Sequence, residues 1–219
     1  MRDFIKPADI ERESMAIIRR ELAARGETPE DEVAPVVLRA IHTTADFDYA
    51  KALYFTKRAV PRGMAALHGG VIVTDTNMAR AGVSARALER LGCEAVCYMA
   101  DEAVAAEARA RGVTRAVVSM ERALAEHPNA VLAIGNAPTA LLTLADKIEA
   151  GARPALVIGV PVGFVNVVES KERAKAVCEA SGVPAILAMG RKGGSTVAAA
   201  VCNALLYAAA GLLDPEQRM

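Results

Sequence analysis

From residue 70 onward, short runs of Val, Ile and Ala alternate with longer amphipathic stretches, and this pattern constrains the fold of the 219-residue chain. The runs are apolar throughout, which indicates strands buried on both faces of a sheet. Strands that alternate with helices are typical of a parallel, doubly wound sheet. The sequence therefore predicts an α/β fold with helices on both faces of a mainly parallel sheet.

The apolar runs and amphipathic stretches give the predicted order of elements. The predicted strands are Val71–Thr74, Ala95–Met99, Ala116–Ser119, Val131–Ile134, Ala155–Val160 and Ala185–Met189. The predicted helices include residues 84–91, 101–111, 138–150, 166–180 and 195–210. The first third has helical spacing, with Asp9 as an N-cap, Pro29 as a first helical position, and a kink or late start at Pro35. We find no repeat or linker, so residues 1–219 are predicted to form one domain, with this N-terminal helical segment packed on the sheet.

Composition argues against several classes of function. The 26 basic residues are balanced by 26 acidic ones, and a chain without a basic footprint is a poor candidate for binding nucleic acid. The start lacks the apolar segment of a signal peptide, and the other apolar runs are shorter than the roughly 20 residues that span a membrane. We therefore expect a cytoplasmic protein with no membrane partner. The cysteines lack a zinc-ligand spacing, so no metal is expected and four small apolar side chains are predicted at Cys93, Cys97, Cys178 and Cys202.

Unusual residues follow four of the predicted strands, at the strand ends where open α/β sheets bind their ligands. They occupy the turns at residues 75–78, 135–139, 161–166 and 190–196. The last turn joins Arg191 and Lys192 to Gly193 and Gly194 at the start of a predicted helix. Two cations, a backbone that allows close approach and a helix N-terminus suit a carboxylate or a phosphate.

The same turns have structural interpretations that stay open. Pro138 fits an ordinary helix start, Asn166 with Glu169 fits a capping box, and Ser195 fits a helix cap. Four such turns on one rim nevertheless favour a binding site. The chain contains none of the patterns GxxxxGK[ST], GxGxxG and GxSxG, so it lacks a nucleotide fingerprint and support for a nucleophilic serine.

Two polar residues stand out in the helical first third. His42 ends an apolar helix face and precedes two threonines that can fix its tautomer, whereas His68 and His127 lie beside turns. A structural role and a proton-exchanging role are both open for His42, since histidine exchanges protons near neutral pH. Ser14 lies on an apolar stripe, where it either bonds back to the preceding turn or faces a ligand.

Six segments match one known family, in order and over nearly the whole chain. They are HTTADFD at 42–48, TDTNMA at 74–79, GNAPTA at 135–140, GVPVGFV at 159–165, ESK at 169–171 and GRKGGS at 190–195. On these residues the chain resembles the precorrin-8 methylmutases. The resemblance implies a flavodoxin-like, three-layer α/β/α fold, a homodimer, and an isomerase of corrin (vitamin B12) biosynthesis without a cofactor. The implied reaction moves a methyl group from C-11 to C-12 of the macrocycle, giving cobyrinic acid or, without cobalt, hydrogenobyrinic acid.

The resemblance also implies roles for single residues. His42 matches the proton donor and acceptor of the family, and Thr43 is a candidate partner of its imidazole. The residues expected to bind the carboxylated substrate are Ser14, Thr43, Asp75, Arg115, Asn136, Thr139, Lys192, Gly193, Gly194 and Ser195. Asp75 has an alternative role as the N-cap of a short helix, and Arg115, placed at the start of a strand, has a dimer-interface alternative.

Segments 42–48 and 190–195 resemble the cobalt-first members of the family, so cobalt-precorrin-8 is the favoured substrate. Two rival interpretations remain. The first is a corrinoid-binding or carrier protein without catalytic activity. The second is a nucleotide- or phosphate-using α/β enzyme, against which the missing fingerprints argue.

Overall fold

The strands are short runs of Val, Ile, Leu and Ala that form one sheet. In the computed structural model, which describes residues 6–218 except for the side chain of Pro7, they are β1 Leu53–Phe55, β2 Val71–Thr74, β3 Glu94–Val96, β4 Val131–Ile134, β5 Leu156–Gly159 and β6 Ala185–Ala188. Their order within these residues is β1-β6-β5-β4-β2-β3. β1 pairs antiparallel with β6, and the other neighbours pair in parallel.

The parallel strands have a topology that predicts where a ligand binds. Counted from β2, their order is 2-1-3-4-5, which is a common doubly wound arrangement. The direction of winding reverses between β2 and β4, which are neighbours with Val73 opposite Leu132. Ligands of such sheets bind beyond the carboxyl ends of the strands at this switch point.

The helices lie on both faces of the sheet. They are α1 Pro7–Ala24, α2 Ala34–Thr44, α3 Tyr49–Ala52, α4 Ala59–Ala66, α5 Asn77–Ala81, α6 Ala85–Leu91, α7 Glu102–Arg111, α8 Arg115–Glu126, α9 Pro138–Glu149, α10 Val167–Ser181 and α11 Ser195–Ala209, followed by a 3₁₀ helix at Pro215–Arg218. Alternate strand residues face opposite cores: Val131 belongs to the core that includes residues of α2 and α11, and Leu132 belongs to the core that includes residues of α8 and α9. The predicted three-layer fold is thereby confirmed.

Most predicted elements agree with the structure, but the strand predicted at Ala116–Ser119 is wrong. This segment begins α8, so Arg115 is the first residue of a helix instead of a strand. Ala116, Met120 and Ala123 recur at helical spacing and are all buried. A short apolar run does not distinguish a strand from a buried helix turn, and the periodicity of the following residues decides here. The three-residue edge strand β1 was not predicted.

Several predictions on helix ends also need correction. α1 has Lys6 as its N-cap instead of Asp9, and α2 begins at Ala34, which confirms the late start at Pro35 and not the start at Pro29. Asn166 precedes α10 without a capping hydrogen bond. Cys93, Cys178 and Cys202 are buried as predicted, whereas Cys97 is half-buried. Among residues 6–218, no helix combines the length and apolar character required to span a bilayer.

Candidate active site

Asp75 occupies the switch point between β2 and β4. Its carboxylate accepts hydrogen bonds from the backbone N–H groups of Gly135, Asn136 and Ala137, at 2.7–2.8 Å. Asp75 is 1% exposed, and burial raises the pKa of its carboxyl while the three N–H donors act in the opposite direction. Thr76, not Asp75, caps α5, which corrects the N-cap alternative. Asp75 therefore fixes the turn after β4 through three backbone hydrogen bonds.

The turn after β6 forms a glycine-rich loop, Gly190–Gly194, in which the carbonyl groups of residues 190–192 point into the protein. The Arg191 carbonyl accepts a hydrogen bond from Gly163 N–H at 3.3 Å, and Gly194 N–H donates to the Val160 carbonyl at 2.8 Å. A Cβ on Gly193 would lie 2.0 Å from the Val160 oxygen, so only glycine allows this approach. Within residues 6–218, the N–H groups of residues 191–193 have no acceptor. These N–H groups can bind an anion.

Lys192 joins this loop to the segment that follows His42. Its Nζ atom lies 2.6 Å from a carboxylate oxygen of Asp46 and 2.6 Å from one of Asp48. These contacts hold the pKa of Lys192 well above its usual range, so the side chain is a fixed cation. An ammonium group has three N–H donors, and two are used here. The third can meet a substrate carboxylate.

A second contact joins the turn after β2 to the start of α11. The hydroxyl groups of Thr76 and Ser195 are 2.8 Å apart. Gly194 is the N-cap of α11 and Ser195 is its first residue, so the cap predicted at Ser195 is wrong. The structure therefore connects the turns after β2, β4, β5 and β6 into one rim at the carboxyl edge of the sheet, as predicted.

His42 lies in the last turn of α2, half-buried beside a cluster of charges. Arg39, one turn earlier, is 2.7 Å from Glu11 of α1, and Glu11 also receives a 2.8 Å hydrogen bond from Arg218. Burial, followed by the cation of Arg39, lowers the pKa of His42; Glu11 raises it, and Arg218 lowers it. Glu11, Arg39 and Arg218 come from separate parts of the sequence, and all three influence the pKa of His42.

The predicted threonine partners of His42 are not in place. Thr44 Oγ1 donates to the Ala40 carbonyl at 2.8 Å and accepts from Asp46 N–H. Within the described chain, neither Thr43 nor Thr44 is hydrogen-bonded to the imidazole. Thr43 instead lines a cleft of about 270 Å³ between α2, α5 and α11, together with Met78 and Thr196. This cleft brings the end of α2 to the rim.

The structure places the remaining predicted residues on α1, on the turn after β4 and at the start of α8. Ser14 donates to the Ile10 carbonyl at 2.8 Å, which is the back-bonded alternative. Thr139 and Thr114 have hydroxyl groups 3.3 Å apart, so the turn after β4 lies next to Arg115. Arg115 is exposed and donates to the carbonyl of Met99, beyond β3. The side chain of Asn136 is exposed on the same turn.

Sequence reasoning missed two features of the site. The ion-paired cluster of Glu11, Arg39 and Arg218 has no local signature, since its members are charged residues on separate elements. Lys171 is fully buried beneath the glycine-rich loop. Because α10 has mixed polarity, the sequence did not indicate that Lys171 is buried. The ESK segment at 169–171 was the one feature that drew attention to this residue.

The geometry suits one kind of chemistry. Cations and free N–H groups along the rim can hold several carboxylates, and Lys192 ties this rim to Asp46, four residues after His42. Exposed apolar side chains of the turn after β5, including Phe164 at 83% exposure, provide a surface for an apolar plate.

Comparison with known proteins shows which family the chain resembles. A family model described as precorrin-8X methylmutase matches residues 9–208. The cobalt-precorrin-8 methylmutase of Priestia megaterium is 41% identical over 92% of this chain and 88% of its own length. The precorrin-8X methylmutase of Pseudomonas aeruginosa is 39% identical over 94% of this chain and 98% of its own.

A solved structure gives the same answer for the fold. The crystal structure of precorrin-8x methyl mutase from Thermus thermophilus superposes with a TM-score of 0.79 at 39% identity. It covers 92% of this chain, and the match covers 98% of that protein. The chain therefore belongs to the precorrin-8X methylmutase family, whose members are isomerases that transfer a methyl group within one molecule in cobalamin biosynthesis.

Proposed function

We propose that the chain moves the methyl group of cobalt-precorrin-8 from C-11 to C-12, with His42 as the acid catalyst. The observation that carries this proposal is the pair of contacts from Lys192 to Asp46 and Asp48. Through them the carboxylate-binding loop is fixed to the segment that begins at His42. A substrate clamped by its carboxylates thus has an imidazole at a set place relative to its ring.

Different rim residues are assigned to different groups of the substrate. The N–H groups around Gly193, the start of α11 at Gly194 and Ser195, and the free donor of Lys192 are assigned to acetate and propionate groups. The exposed side chain of Asn136, with Thr139, is assigned to a second group. Thr43 is assigned to the substrate edge nearest His42. Ser14 is assigned to the same edge, where it donates to substrate only when its hydroxyl leaves the Ile10 carbonyl. Asp75 acts indirectly, since both of its oxygens hold the turn that contains Asn136.

His42 supplies a proton and recovers it. The imidazolium protonates a ring nitrogen or a conjugated carbon, which draws electrons from the position that receives the methyl group. The methyl then moves in a concerted 1,5-shift, so neither a methyl donor nor a nucleophile is required. The lowered pKa of His42 makes its imidazolium a stronger acid. The proton returns to the imidazole at the end of the turnover.

A homodimer is part of the proposal because the predicted site is wide. Arg115 contacts Met99 beyond β3, and its neighbour Thr114 contacts Thr139 after β4, so Arg115 lies two to four strand spacings from β6, the strand that Lys192 follows. At about 4.8 Å per spacing this separation is on the order of 10–19 Å. Such a span favours Arg115 as a contribution to the site of a second copy.

The remaining assignments follow from the same proposal. The 2-1-3-4-5 order of the parallel strands supports a flavodoxin-like classification. The match over residues 9–208 supports a single domain across 1–219. A cytoplasmic enzyme is proposed, with a corrinoid as its partner instead of nucleic acid or a membrane, and with no cofactor or metal of its own. The cobalt-containing substrate is supported by the names of the relatives from Salmonella typhimurium, 45% identical, and Priestia megaterium, 41% identical.

The proposal is tested by conversion of purified cobalt-precorrin-8 and precorrin-8, followed by the change in absorption spectrum. We expect wild-type protein to convert both and to prefer the cobalt form. His42→Ala should keep the fold and corrinoid binding while losing most turnover, and the exposed His68→Ala is the matched control. Wild-type protein that binds both corrinoids without converting either would instead be a carrier.

A thermal-shift screen tests the other rival. Corrinoids should raise the melting temperature, because a ligand that binds only the folded state stabilises it. Stabilisation by ATP, NAD or FMN, but not by corrinoids, would indicate a nucleotide-using enzyme and refute the proposal.

A further inference from the structure

Lys171 is a lysine with no access to solvent. It lies in the first half of α10, is 0% exposed, and belongs to the largest fully buried side chains of the described chain. Within residues 6–218, no carboxylate forms an ion pair with it. Its Nζ atom instead donates to the carbonyl of Gly190 at 2.8 Å and to that of Lys192 at 2.9 Å.

A buried ammonium destabilises the folded state, so its presence requires a physical reason. The destabilisation arises because a cation leaves water without gaining a carboxylate partner, and an apolar side chain of similar size is usually more favourable at such a position. Burial lowers the pKa of Lys171 to about 8, although the two carbonyl acceptors favour the charged form. The function of the loop above it supplies such a reason.

The two bonds from Lys171 determine which way the loop faces. The carbonyls of Gly190 and Lys192 point down to the ammonium, and the carbonyl between them accepts from Gly163. With three consecutive carbonyls turned inward, the N–H groups of residues 191–193 are free to face outward. Lys171 also places a positive charge directly below these donors, which favours an anion above them.

We infer that Lys171 is a positioning residue for substrate binding, which orients the glycine-rich loop and makes it receptive to a carboxylate. The inference rests on the proposed function, since the anion is a carboxylate of the corrinoid. Lys171 itself does not contact the substrate. It should therefore act mainly on KM and much less on kcat, which distinguishes it from His42.

The test compares Lys171→Met with Lys175→Met, which removes a lysine one turn later on the same helix. Lys175 lies over the ring of Tyr54, and within residues 6–218 it has no hydrogen bond to the loop. Lys171→Met should raise KM about tenfold or more, as expected when charge-assisted contacts are lost, with kcat much less affected. Lys175→Met should leave both constants unchanged. An unaltered KM in a folded Lys171→Met variant would overturn the inference.

The pH dependence of wild-type KM tests the same point if Lys171→Met does not fold. KM should rise as the pH passes upward through about 8, because Lys171 then loses its charge. Burial alone lowers the pKa of Lys171. Charged residues on α10, α9 and the loop do not contribute to this shift; they are Glu172, Asp146, Lys147, Glu149, Arg191 and Lys192. Lys192 stays charged over this range. A KM that is constant from pH 7 to 9.5 would refute the inference.

The two proposals fail in different ways. If wild-type protein does not convert corrinoids, the proposed function is wrong. If it converts them with a KM that depends neither on pH nor on Lys171, only the positioning role is wrong.

Discussion

Gly193→Ala should damage both stability and substrate binding, and the structure gives the size of the effect. The added Cβ would lie 2.0 Å from the Val160 oxygen and 2.8 Å from its carbonyl carbon. Neither neighbour is a flexible side chain, so the loop must move away by about 1.4 Å to reach a normal contact distance. That movement pulls on Gly194 N–H, which donates to the same Val160 oxygen at 2.8 Å, and on the bond from Lys171 to Lys192.

The expected loss combines these contributions. The neutral hydrogen bond of Gly194 is worth about 0.5–1.5 kcal/mol, and the charged bond from Lys171 about 1.5–3 kcal/mol. Backbone strain at a residue held in an unfavourable conformation costs about 1–3 kcal/mol. If the loop moves, the hydrogen bonds of Gly194 and Lys171 are lost but the strain is relieved. If the loop stays in place, the bonds are kept and the strain remains. The three free-energy contributions therefore do not add in full. We expect the free energy of unfolding to fall by about 3–5 kcal/mol.

Urea unfolding and steady-state kinetics measure the two effects. Gly69→Ala is the matched control, because Gly69 also has a positive φ, +67°, but a Cβ there meets nothing within 4 Å. This control should lose about 1–2 kcal/mol through left-handed strain alone and keep its KM. Gly193→Ala should also raise KM for the corrinoid. If both variants lose equal stability and both keep the wild-type KM, the close approach at Val160 does not shape the site.

Further predictions concern His42 and Lys192. If catalysis requires protonated His42, kcat/KM should fall as the pH rises through the pKa of His42, which lies below the usual value near 6.5. A flat profile of kcat/KM from pH 5 to 8 would contradict this role. Glu11→Gln removes a carboxylate that raises this pKa, so the fall should begin at lower pH, and an unshifted profile would exclude the coupling. Lys192→Ala should raise KM more than it lowers kcat, with about 1.5–3 kcal/mol of binding lost; an unchanged KM would contradict a carboxylate contact.

The fold was predictable because its determinants are local. β2 and β4 have the bounds read from the apolar runs, since a parallel strand buried on both faces is apolar at every position. The same rule failed at Ala116–Ser119, where one turn of a buried helix has an equally apolar run. The edge strand β1 is only three residues long and partly exposed, so it lacks this pattern.

The candidate site was predictable in position but not in its connections. Turns after parallel strands meet at one edge of a sheet, so the rim follows from the order of elements. Which side chains contact each other does not follow. Lys192 pairs with Asp46, 146 residues earlier, and Arg218 with Glu11, 207 residues earlier. No local rule predicts either pair. The pKa of His42 is lowered first by burial and then by Arg39, and the second pair adds two opposed effects, since Glu11 raises this pKa and Arg218 lowers it.

The contacts within the rim divide the family-like residues into two groups. Both oxygens of Asp75 accept hydrogen bonds from backbone N–H groups, so Asp75 shapes the turns. The Ser195 hydroxyl lies 2.8 Å from that of Thr76 and joins two turns, so the binding role of Ser195 is assigned to its backbone N–H at the start of α11. In the part of the chain that the structure describes, donors remain on Lys192 and on the exposed side chain of Asn136. Matching a family motif does not distinguish the two groups, because both are needed for the same turn. Only residues with unused donors can bind a carboxylate, so substitution of Asn136 or Lys192 should act on binding, whereas substitution of Asp75 should act first on stability.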